Sequence, residues 1–76
     1  MVEMLLNLKK DKKGIIVKLV GGTSFKRKLR ILGIREGKVI QNSTNFPFGG
    51  PIVIKIDGRQ TTLGRDIAKQ IFIEEK

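Results

Sequence analysis

Seventy-six residues, 39% of them hydrophobic, make one small domain spanning 1–76, with 27 Ile, Leu, Val and Phe to build its core. Net charge is +9 and neither cysteine nor histidine occurs, which excludes disulfides, thiolate and imidazole metal sites, and nucleophiles or general bases built on those side chains. The charge is lopsided, with eleven Lys/Arg against three acids (+8) in residues 1–38 and five against four (+1) in 39–76. One half of the chain therefore attracts phosphates, anionic lipid heads or an acidic protein face, unless Lys9, Lys10, Lys12 and Lys13 form only a solvated loop.

Apolar runs stop at three residues, as in Ile15-Ile16-Val17, whereas a spanning helix needs about 20. The opening Met1 to Leu6 is too short for a signal peptide and offers no small-residue cleavage site. The expected compartment is the cytoplasm.

Gly14 to Val20 is rich in β-branched residues and stops at Gly21-Gly22, which predicts the first clear strand. A helix follows from Thr23 or Ser24 to Leu32. Phe25, Leu29 and Leu32 fall within about 60° of one another on its wheel. Thr23 or Ser24 is the expected cap. Gly33 is the expected left-handed stop, and Ile34 then meets Leu29. Lys26, Arg27, Arg30 and Ile31 point outward. Ile31 is the odd member of that basic face: either it tucks under a loop or it joins a partner surface.

Lys38 to Asn42, Ile52 to Asp57, Arg59 to Thr62 and Gln70 to Glu74 read as further strands. Ile52, Ile54 and Ile56 share one face by the period of two, as do Ile71 and Ile73. Asp57-Gly58 is a tight hairpin signal. The expectation is an all-β chain, a small barrel of about five strands with one short helix after the first. In the segment Thr44 to Gly50, Phe46 and Phe48 flank Pro47 in a loop, where two aromatics either cap the open barrel end or anchor a partner. If they are anchors, Phe46→Ala with Phe48→Ala weakens partner binding by about tenfold or more. Unchanged binding with a large drop in melting temperature makes them core.

Leu29-x-x-Leu32-Gly33-Ile34-x-x-Gly37, entered from the basic Arg27-Lys28-Leu29-Arg30 and followed by Val39-Ile40, resembles the FeoA family of small companions of the bacterial ferrous iron permease. A second block agrees in order and spacing: Gly50-Pro51-Ile52-Val53-Ile54-Lys55-Ile56, then Leu63-Gly64-Arg65-Asp66-Ile67-Ala68, then Ile71-Phe72-Ile73. The resemblance covers residues 4–74. It departs near Asp11, where the family commonly has glycine, and at Ile67, where it commonly has an acid before the alanine. Neither position belongs to the expected core.

The resemblance implies an SH3-like barrel without enzymatic activity or cofactor, acting in the cytoplasm on ferrous iron uptake. The implied partner is the cytosolic GTPase region of the membrane permease (FeoB-type). The residues expected to carry contact are Arg27, Arg30 and Ile31 on the helix, Phe46, Pro47 and Phe48 in the loop, and Arg65, whose alternative is an ordinary surface pair with Asp66 or a nearby carbonyl. Ferrous iron is usually held by imidazole and carboxylate. Seven carboxylates, none clustered at ligand spacing, favour contact over iron carriage.

A basic nucleic-acid-binding barrel is the alternative, since +9 supplies counterion-release affinity. Single-strand readers stack bases on exposed aromatics. This sequence has no Trp or Tyr and shows no aromatic row, so no specific nucleic acid is expected. A proline-peptide groove needs the same aromatics. The +8 half also fits an anionic membrane surface, at about 1 kcal/mol per nearby Lys or Arg.

Overall fold

Ile52, Ile54 and Ile56 alternate with Val53 and Lys55, so a strand here turns three isoleucines to one side; all three are buried. The structure, a computed structural model, describes residues 1–44 and 50–76. The isoleucine strand is β4 (Ile52–Ile56), and it pairs antiparallel with β5 (Arg59–Leu63). Asp57 and Gly58 join them with φ of 52° and 77°. Positive φ at both central residues matches the right-handed twist of the flanking strands. On the other side β4 pairs with β3 (Val39–Asn42), and β3 with β2 (Lys13–Leu19).

The closing strand β6 (Ile71–Glu75) inserts between β2 and a strand the sequence reading missed, β1 (Val2–Met4). The result is one antiparallel sheet in the order β1-β6-β2-β3-β4-β5. The class is all-β, as expected, with six strands among the described residues rather than about five, and the helix follows the second strand rather than the first. Among the described residues, a 3-10 turn, Leu5–Asn7, and a one-turn helix α2 (Arg65–Ala68) complete the elements beside α1 (Thr23–Ile31).

β2 carries the one irregularity that matters for its faces. Simple alternation from buried Gly14 and Ile16 would send Lys18 into the core. Pairing with β6 instead shifts between Ile16 and Lys18, leaving Val17 as the extra residue of a bulge. Leu19 then points inward and Lys18 outward. Burying an unpaired ammonium costs far more than one unpaired residue in a ladder. Gly14 is glycine because a Cβ there would lie 2.9 Å from the Ile73 Cδ1 and 3.2 Å from the Glu74 carbonyl oxygen.

The core gathers Leu5, Ile16, Ile34, Ile40, Ile54, Ile56, Ile71 and Ile73, with Leu29 from α1 and Ala68 from α2. One polar side chain, Asn42, is buried among them. Its Nδ2 donates to the Leu8 carbonyl and its Oδ1 accepts from the Thr44 N–H at 2.9 Å. Both ends of the amide are satisfied, as burial requires. Thr44 extends the ladder by side chain: its Oγ1 accepts from the Val53 N–H at 3.0 Å.

Candidate functional site

α1 stops where Gly33 adopts a φ of +82°. The Gly33 N–H donates to the Arg30 carbonyl at 2.9 Å and the Ile34 N–H to the Leu29 carbonyl at 2.8 Å. These are the two bonds of a Schellman cap, and the accompanying apolar pair, Leu29 and Ile34, lies in the core. The Arg59 guanidinium reinforces the stop by donating to the Leu32 carbonyl at 3.1 Å. The far end differs from the sequence reading. Gly22, not Thr23 or Ser24, is the N-cap, and no side chain caps the helix. Phe25 folds back over Gly21, where a Cβ would come within 2.4 Å of its ring, and the helix begins at Thr23, the earlier of the two expected starts. Leu32, expected in the docked stripe, stays 37% exposed because it follows the last helical residue; Phe25 and Leu29 do the docking.

The outward face of α1 carries Lys26, Arg27, Lys28 and Arg30 with no acid on the helix. Among the described residues the ion pairs are Lys38 with Asp57 at 3.1 Å and the N-terminal ammonium with Glu74 at 3.9 Å, so neither engages α1. Lys28 and Arg30 lie in the last turn, where cations favour the helix dipole. Lys26 and Arg27 lie nearer the positive end, so helix stability does not account for them. Ile31 stands beside Arg27 on the wheel and is 77% exposed. The expectation that a loop covers it is not met; its side chain faces solvent.

Arg27, Arg30 and Ile31 thus share one exposed surface. Arg65 lies on a different element: it is exposed on α2, which packs against the 3-10 turn. No Arg65–Asp66 pair forms among the described residues. Phe46, Pro47 and Phe48 lie outside the described residues.

The FeoA domain model matches residues 4–75. A crystal structure of an iron uptake regulatory protein (FeoA) superposes with a TM-score of 0.90 at 29% identity, covering 100% of this chain and 99% of that one. A FeoA-like protein from Clostridium acetobutylicum, solved by NMR, gives 0.85 at 26% identity, with 97% and 86% covered. A manganese-dependent transcriptional repressor shares the fold over 42% of its own length, with a TM-score of 0.87 at 18% identity. A search of curated proteins found no match. With the family's SH3-like fold and its sequence pattern both running through nearly the whole length, the chain belongs to the FeoA family, whose work is ferrous iron transport.

Proposed function

We propose that this chain is a non-enzymatic cytoplasmic accessory protein of ferrous iron uptake that docks on the cytosolic GTPase region of the membrane iron permease. The observation that carries the reading is Ile31, an apolar side chain 77% exposed among cations that have no ion-pair partner among the described residues. An apolar anchor ringed by charge is the usual anatomy of an interface centre and its rim. Family membership supplies the system. A chain without histidine or cysteine and with seven carboxylates fits a contact role better than iron carriage. No helix among the described residues is long and apolar enough to cross a membrane.

The test is a binding titration between the chain and the isolated GTPase region. Ile31→Glu combined with Arg27→Glu is expected to raise Kd by about tenfold or more. The melting temperature should stay within about a degree or two of the parent, since neither side chain is packed. Full affinity in the double variant would remove α1 as the docking element. Parent protein that binds no GTPase region would remove the reading itself.

A further inference from the structure

The strand register assembles a second surface on the solvent side of the sheet, remote in sequence and invisible to any local motif. Lys13 faces Gln41, Gln41 faces Lys55, and Lys55 faces Gln60, so these four form one row across β2, β3, β4 and β5. Two residues along the strands, Ile15 faces Val39 on one side and Glu74 on the other. Burial of the alternate residues Gly14, Ile16, Ile40, Ile54 and Ile56 fixes both rows on the outer face. Ile15 is 36% and Val39 41% exposed. Where the rows meet the Asp57-Gly58 turn, the surface dips into a shallow concavity of about 240 Å³ lined by Lys13, Val39, Gln41 and Lys55.

The charges at this surface are unbalanced. Asp57, in the lining itself, is paired by Lys38 at 3.1 Å, and Glu74, beside Ile15, lies 3.9 Å from the exposed N-terminal ammonium. Lys13 and Lys55 have no carboxylate within ion-pair distance among the described residues. Gln41 is held in place by donating its Nε2 to the Asp11 carbonyl at 3.1 Å. The polar row is therefore a fixed amide between two lysines that sit about 10 Å apart, two strand spacings. It lies about 7 Å from the apolar row, the rise of two residues along a strand.

We propose that this face receives an extended acidic segment of a partner protein in which a carboxylate and an aliphatic side chain are separated by one residue. In an extended chain, positions i and i+2 point the same way and lie about 7 Å apart. A Glu or Asp thus meets the lysine row while the aliphatic residue two places on settles against Val39 and Ile15. The concave shape favours a single chain over a bilayer, whose flat surface cannot follow the dip. Nucleic acid would satisfy the lysines and leave the two aliphatic side chains unmatched, with no aromatic platform in either row. The assignment is independent of what α1 binds.

The probe is the synthetic peptide acetyl-Glu-Ser-Val-Ser-Glu-Ser-Val-amide, titrated into the isotope-labelled full chain and followed by backbone amide chemical shifts. Shifts are expected to concentrate in β2, β3 and β4. Kd should rise about tenfold in Lys13→Glu/Lys55→Glu and about threefold in Val39→Ser, with folding of each verified by spectral dispersion. Lys26→Glu/Arg30→Glu should leave Kd unchanged. Shifts spread equally over residues 9–12 and α1, or equal affinity for the peptide with both valines replaced by serine, would reduce the effect to unspecific charge and overturn the proposal. Stronger perturbation of the same amides by phosphatidylserine vesicles or by a mixed-sequence single-stranded oligonucleotide would overturn it in favour of those ligands. Because the permease is absent from the experiment, its outcome leaves the α1 reading untouched, and the reverse also holds.

Discussion

Ile54→Ala is expected to lower folding stability by about 3–4 kcal/mol. Ile54 is fully buried in β4. Its strand neighbours are Asn42 on β3 and Thr61 on β5, so hydrogen-bonded strands hold the backbone on both sides. The void left by three lost carbons cannot collapse, and the cavity cost adds to the lost transfer energy. A chain of 76 residues has roughly 4–11 kcal/mol of stability in all. The urea midpoint should therefore fall by about a quarter or more, with the slope unchanged because the same surface is exposed on unfolding. Val53→Ala, one residue away on the half-buried outer side of the same strand, should cost about 1 kcal/mol. Equal losses at the two positions would contradict the facing of β4.

The fold was readable where its causes are local. Three isoleucines at alternate positions, a two-residue Asp-Gly turn, and a helix stopped by glycine each carry their geometry within a few residues, and the structure realises all three, with Phe25 and Leu29 but not Leu32 in the docked stripe. β1 is three residues long and exists because Val2 and Met4 find Glu74 and Phe72 at the other end of the chain; no periodicity announces such a strand. The bulge at Val17 is likewise a decision of the pairing with β6, made to keep Lys18 out of the core. The two candidate surfaces divide along the same line. On α1, Arg27, Arg30 and Ile31 are neighbours on one helix and could be read as a patch. Lys13, Gln41 and Lys55 are neighbours only because register places them so. Asn42 reads as an ordinary end of a strand, and its burial follows from Leu8, a residue 34 positions earlier.

That buried amide gives the prediction with the clearest signature. Asn42→Asp keeps the shape and changes one group: the Nδ2 that donates to the Leu8 carbonyl becomes a carboxyl oxygen. Ionised, the new side chain has no donor for that carbonyl, and a negative charge faces a carbonyl oxygen inside the core. Protonated, it can donate to Leu8 much as the amide does while its other oxygen still accepts from Thr44. Burial and the facing carbonyl both penalise the charged form, so the folded-state pKa of Asp at this position rises above its unfolded value of about 3.9. Below about pH 3.9 both states hold the proton and the variant should fall within about 1 kcal/mol of the parent. As pH rises through the folded-state pKa the unfolded state releases its proton more readily, and stability relative to the parent is lost. At neutral pH the deficit should reach about 3 kcal/mol or more, near 1.4 kcal/mol for each unit of pKa shift. Urea midpoints of variant and parent measured at about pH 3 and about pH 7 give the comparison directly, the parent removing the pH response of the other carboxylates. A deficit of the same size at both pH values would mean that position 42 is solvated, and the sealed junction between Leu8, β3 and Thr44 would have to be redrawn.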